Sequence, residues 1–414
     1  MHATYNRPRS LPQLQNSTAS QERQPLQNFA DKALKAAAGL WFLVAVIGQW
    51  IFVVYIVSFY GRSVAEGDLA RWNRILFHGY IPGDHMGNLA LGIHILLAAT
   101  ITVGGPLQLT PQIRDRFPVF HRWNGRIYML TAFTTSIVAL YLVWIRGGSS
   151  GDVSQHLGVS LNAVLIMLCA TMALRYALAR NFKTHRRWAL RLFLVVSGVW
   201  FFRVGLTLSA LLFKGPFGFD PTTFQGPFLT FLSFAQYLLP LAVLEIYLRT
   251  QDRTGAPRRI AMAAGLFVLT LAMGAGIFGA TMGMWLPNIK VAYDNRKSIA
   301  GTLTATIASR GVEEAAKQYH DFKAAGAANY NFDEDELDAL GYHLLHVNQF
   351  KEAIRIFQLN VEAYPQSSNA YDSLAEAYMD DGNKPQAIAN YQKSLQLNPK
   401  NRNAGKMLQK LNAP

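Results

Sequence analysis

Seven stretches of the chain are apolar over twenty or more residues and almost free of charge, at approximately 36–60, 87–109, 125–146, 154–177, 188–213, 226–248 and 260–286. Roughly 20 mostly apolar residues cross the hydrocarbon of a bilayer as a helix, so the pattern predicts seven membrane spans. No formal charge falls between Ala36 and Tyr60, nor between Asp84 and Arg114. Arg126 and Arg146 bound the third stretch, and the fifth carries Arg203 in its middle besides Arg191 at its start. Residues 1–34 are rich in Gln, Ser, Pro and Arg and read as a disordered cytoplasmic tail. The first span is too long and too far from residue 1 for a cleaved signal peptide and is expected to remain as an anchor.

After residue 286 the pattern changes to a 34-residue repeat. Leu337, Leu340, Gly341, Leu344, Ala353, Phe357 and Pro365 recur as Tyr371, Leu374, Ala375, Tyr378, Ala387, Tyr391 and Pro399. This resembles the tetratricopeptide (TPR) repeat, a pair of antiparallel helices per unit. Small residues at Gly341, Ala353, Ala375 and Ala387 allow close helix approach, Phe357 and Tyr391 fill the space between neighbours, and each proline ends a second helix. Leu340 and Leu374 complete the packing set. Helices around Val312–Ala325 and Arg402–Leu411 are expected to cover the ends. The expected fold is thus all-α: a bundle over 35–286, a linker with capping helices over 287–335, and TPR-like repeats over 336–414. Such a stack offers a concave surface to a protein or peptide.

Composition sharpens this. Hydrophobic residues make up 51% and charged residues 15% of the 414, below the quarter usual in soluble proteins. The net charge of +14 is unevenly spread. Residues 1–286 hold 25 Lys/Arg against 10 Asp/Glu, whereas residues 287–414 hold 14 against 15. Basic charge in short loops of an apolar region follows the positive-inside rule rather than nucleic-acid binding. The tail (Arg7, Arg9, Arg23, Lys32, Lys35) and the loops after spans two (Arg114, Arg116, Arg122, Arg126), four (Arg180, Lys183, Arg186, Arg187, Arg191) and six (Arg249, Arg253, Arg258, Arg259) are the basic ones. The N-terminus is therefore expected in the cytoplasm and the C-terminus outside, in the periplasm of a Gram-negative inner membrane. The single Cys169 permits no intrachain disulfide.

Two cytoplasmic helix starts read alike: His121-Arg122-Trp123-Asn124-Gly125-Arg126 and His185-Arg186-Arg187-Trp188-Ala189-Leu190-Arg191. Trp and Arg at such a boundary anchor a helix without further use. With Gly105-Pro106-Leu107-Gln108 and Tyr128, these runs resemble the bacterial membrane family catalogued as domain of unknown function 2306, over roughly residues 40–250. The resemblance implies a helical membrane bundle and no established activity. It marks Gln108, His121, Arg122, Arg126, His185, Arg186 and Arg191 as candidate ligand-binding residues.

A second resemblance concerns histidines. His94 and His156 fall toward the outside and His121 and His185 toward the inside, as the paired ligands do in two-haem transmembrane b-type cytochromes. That implies a redox carrier using haem b or a quinone, as the alternative to an anchor or assembly factor. Against it, the inner pair lies about 8–9 Å from the arginines at the membrane edge, shallow for a haem. Arg203 in the middle of span five is a functional candidate by its position. It either shares an outward-facing cavity with His94, or bonds carbonyls or the hydroxyls of Ser197 or Thr207. His78, Asp84 and His85 match no strong ligand motif, and Glu245 reads as an interfacial charge. No nucleotide, zinc-protease or nucleophile-elbow motif indicates an enzyme class.

Overall fold

The computed structural model describes residues 11–76, 78–146, 151–220, 223–253, 255–294, 296–326 and 328–412. Arg7 and Arg9 of the expected tail lie outside them. The remainder of that tail is a correction. Helix α1 runs from Leu11 to Ile56, Ala30 is buried, and Leu34 and Ala37 pack against Ala263 and Leu266. Apolar positions at the tail's end continue the helical face of the first span, so packing overrides its polar composition.

A π turn at Val57–Gly61 and a short α2 (Arg62–Ala65) follow. The chain then makes a 3₁₀ segment at Leu69–Arg74. Next come α3 (His85–Leu109), α4 (Pro111–Arg116), α5 (Pro118–Trp144) and α6 (Val153–Leu178). Asp84 and Asp152 accept from the third backbone N–H beyond them and so fix where α3 and α6 begin. Helices α7 (Phe182–Val196) and α8 (Gly198–Phe213) replace the expected continuous fifth span and meet at 51°. The break has a local cause. Ser197 Oγ bonds back to the Phe193 carbonyl at 2.7 Å, receives the Gln49 amide at 2.9 Å, and is followed by Gly198. Helices α9 (Pro227–Arg253) and α10 (Ala256–Ala280) complete the bundle. Among the described residues six helices are long and apolar enough to cross a membrane, seven with the bent pair.

The core of the bundle is aromatic. Phe52, Tyr55, Phe59, Tyr60, Trp72, Trp200 and Trp285 are all buried. Gly48 lets α1 approach α8 and α10, since a Cβ there would lie 2.5 Å from Ile277 and 2.7 Å from Trp200. A second π turn, Thr281–Trp285, seats Trp285 against Phe52 at 5.3 Å. Helix α11 (Leu286–Ala292) then leads out of the bundle.

The C-terminal part is a stack of hairpins. It comprises α12 (Ile299–Arg310) with α13 (Val312–Ala324), α14 (Glu334–His346) with α15 (Phe350–Ala363), α16 (Ser368–Asp380) with α17 (Lys384–Leu397), and a closing α18 (Arg402–Asn412). Two-residue strands β1 (Lys297–Ser298) and β2 (Tyr330–Asn331) pair in parallel across the first hairpin. All eight expected packing residues sit inside the stack: Leu340, Ala353, Phe357, Leu374, Ala375, Ala387 and Tyr391 are buried, and Gly341 lies against the Phe357 ring. The α12–α13 hairpin adds a further unit where the sequence indicates only a capping helix. Its Ile299, Leu303, Ala315 and Tyr319 join the core of α14 and α15.

The stack rests on the connection between the first two spans. Arg74 donates to Asn288 Oδ1 at 3.2 Å and to Asp335 Oδ2 at 3.0 Å, and its guanidinium lies 3.7 Å from Glu336. The Glu336 carboxylate is buried and accepts from Ser298 Oγ at 2.5 Å; burial raises its pKa. Helices α12 and α14 therefore face the bundle, while α16 to α18 pack chiefly on one another.

Candidate functional site

The duplicated motifs meet at the end of the bundle that carries the arginine-rich connections. Helix α5 opens at Pro118, a residue suited to a first helical turn, and places His121, Asn124, Gly125 and Tyr128 along one side. Asn181 caps α7 through the Thr184 N–H and brings His185 to the same level. His121, Gly125, Tyr128 and His185 line a cleft of about 380 Å³, counting the open solvent at its mouth, with Gly105, Gln108, Leu109, Met129, Ala189, Leu192 and Phe193.

A chain of hydrogen bonds orders the polar wall. Asn124 Nδ2 donates to the Gly104 carbonyl at 3.0 Å and to Gln108 Oε1 at 2.9 Å. With its oxygen so occupied, Gln108 turns its Nε2 toward His121 Nε2, 3.3 Å away. A neutral His121 accepting there carries its proton on Nδ1, which is buried and has no partner. His185 Nδ1 lies 2.8 Å from the Ala173 carbonyl, which can only accept, so a neutral His185 keeps its lone pair on Nε2. The Tyr128 hydroxyl is buried without a partner beside Gly105. At Gly105 a Cβ would come within 3.1 Å of Phe193 and 3.2 Å of the Tyr128 oxygen, and at Gly125 within 2.9 Å of Gln108. Both glycines keep the slot open.

The candidate arginines lie elsewhere. Arg126 stacks over Trp123 and Arg191 over Trp188, each at 4.8 Å. The two motifs thus repeat one Trp–Arg interaction three residues apart. Arg191 also pairs with Glu245 at 2.6 Å, which accounts for that carboxylate. Arg122 and Arg186 are exposed and none of the four lines the cleft.

Arg203 turns into the bundle. Its guanidinium donates to the Val199 carbonyl at 3.2 Å and lies 5.4 Å over Phe52. His94 stands within range of its charge, and its Nδ1 is buried without a partner. Thr207 bonds the Arg203 and Gly276 carbonyls rather than the guanidinium. His156 has other neighbours, with its ring edge-on to Trp144 at 5.8 Å. His94 and His156 thus have different neighbours, whereas a bis-His haem needs the two rings facing each other across it. At the inner pair the cleft is small and His121 Nε2 already receives Gln108, so these residues do not fit a haem.

One structured residue escaped the motif reading. Arg146, with its side chain only 4% exposed, donates to Asp84, to the His78 and Gly79 carbonyls and to Asn88 at 2.7–3.2 Å. In sequence it is only a charge at a helix end. Its carboxylate partner is Asp84, the residue that caps α3, and no group of three or more metal-ligating side chains occurs among the described residues.

Fold and site together define a multi-pass α-helical membrane protein that carries a helical-repeat domain. Residues 91–239 match the family described as Predicted membrane protein (DUF2306), and residues 368–401 match the Tetratricopeptide repeat. The chain combines the two, and the first match encloses every residue of the cleft. Comparison with curated proteins and with solved structures gives no match.

Proposed function

We propose that the protein is a cell inner-membrane anchor or assembly factor that holds its TPR stack on the extracytoplasmic face for a periplasmic protein or peptide. The observation that carries this is the seating of the stack. Arg74, in the connection between the first two spans, joins α11 and α14 through Asn288, Asp335 and Glu336. A docking module fixed in this way presents one orientation to its partner and lowers the ordering cost of binding. The arginine-rich connections at the opposite end favour a cytoplasmic N-terminus. A photo-crosslinking residue at Asn369 or Asp380 of α16, introduced into the full chain in cells, is expected to trap a discrete extracytoplasmic protein. Adducts to cytoplasmic proteins only, or none at either position, would contradict the proposal.

The redox alternative narrows. His94 and His156 have different neighbours, which weighs against a two-haem relay.

A further inference from the structure

The cleft between α3, α5 and α7 holds polar groups that the fold does not use. Tyr128 is 5% exposed, yet its hydroxyl has no partner, and the same is true of His121 Nδ1. A buried unmade hydrogen bond costs roughly 1–3 kcal/mol. Two such groups on one small cleft, with Gly105 and Gly125 keeping it open, indicate a ligand that completes them. From this geometry we infer that the cleft receives the uncharged ring of a quinone or quinol.

The chemistry of the wall selects that class. No Lys, Arg, Asp or Glu lines the cleft, which disfavours a phosphate, a carboxylate or an amine as the bound group. The Tyr128 O–H and the His121 Nδ1–H are donors suited to a carbonyl oxygen. His185 Nε2, left as an acceptor by the bond from Nδ1 to Ala173, suits the hydroxyl of the reduced form. The remaining wall is apolar, from Leu109, Met129, Leu192 and Phe193. A narrow slot between glycines and an aromatic ring fits a flat head group. The site also lies in the first turns of α5 and α7, where the basic connections meet the bundle. An apolar tail there passes between helices into lipid, beside the exposed Ile127 and Leu130. This inference is independent of the partner proposed for the TPR stack.

The test uses the full chain in lipid nanodiscs, titrated with ubiquinone-2 and followed by quenching of tryptophan fluorescence, with Trp188 and Trp123 near the cleft. Saturable quenching is expected. Tyr128→Phe, which removes only the hydroxyl, should weaken it about tenfold, the worth of one buried hydrogen bond. Gly105→Ala should weaken it as well by narrowing the slot. If Tyr128→Phe fails to fold, the Gly105→Ala titration decides. A ring hydrocarbon of the same shape without oxygens should not compete. Quenching that never saturates, unchanged affinity in the variants, equal competition by the hydrocarbon, or a haem absorption band in the purified protein would each overturn the assignment.

Discussion

Gly341→Ala probes the repeat at its tightest point. A Cβ at this position would lie 2.5 Å from Cε1 and Cζ of Phe357 and 2.8 Å from its Cδ1. Phe357 is fully buried and its ring meets Tyr342 at 5.2 Å, so it has little room to move aside. Overpacking of this kind costs about 1–3 kcal/mol. Replacing a mid-helix glycine by alanine returns about 1 kcal/mol of helix propensity, leaving a net loss of about 1 kcal/mol. In a fragment spanning residues 297–414, which is expected to fold alone, that loss lowers the melting temperature by roughly 4–8 °C. Phe357→Leu alone also destabilises, because removing buried ring atoms leaves a space behind. The double variant should be more stable than the two losses summed, by about 1 kcal/mol, because the new methyl enters space the ring has left. Thermal unfolding followed by circular dichroism measures all four proteins. A rise in melting temperature for Gly341→Ala, or strict additivity in the double variant, would refute the packing argument.

Three further outcomes are expected. Arg146→Met should destabilise the bundle, because it removes the buried donor shared by Asp84, Asn88 and the His78 and Gly79 carbonyls, and should appear as a fall in the yield and melting temperature of the purified full chain. The repeat fragment should lose stability as pH rises from about 4 through 7. Burial pushes the Glu376 carboxyl up to about 7 and the Asp338 carboxyl up to about 6, so the fold favours their protonated forms and the penalty grows once the unfolded chain ionises. Glu376→Gln should flatten that dependence; equal melting temperatures at pH 5 and pH 8 in the unmodified fragment would count against it. Arg74→Ala should loosen the seat of the stack and speed proteolysis in the connection around residues 293–298, with cleavage at the unmodified rate contradicting the docking role.

Much of this architecture is legible in one dimension because hydrocarbon and helical repeats impose regular patterns. Charge-free runs of twenty residues marked the spans, and the spacing from Gly341 to Ala375 and from Phe357 to Tyr391 marked the hairpins. The break at Ser197 was not legible. It depends on Gln49 reaching Ser197 from 148 positions away, and the residues around the break are as apolar as any span. The α12–α13 hairpin was half visible, since α12 lacks the proline and aromatic residues that announce the later units. The helical extension before Ala36 was masked by its polar composition. At the cleft, the motifs named Gln108, His121 and His185 but also four arginines that point away. Whether an arginine near a helix start faces a cleft or stacks on the tryptophan three residues before it depends on helix rotation. Asn124 and Tyr128 gained their importance from the approach of α3 at Gly104 and Gly105.

In the proposed topology the TPR stack is held on the extracytoplasmic face by the connection between the first two spans. An enzyme reporter active only outside the cytoplasm, fused after Pro414 of the full chain, tests this most directly. Activity is expected there, and none for the same reporter fused within the Ala179–Asn181 connection at the opposite end of the bundle. An inactive reporter after Pro414, together with activity of a cytoplasm-specific reporter at that position, would contradict it.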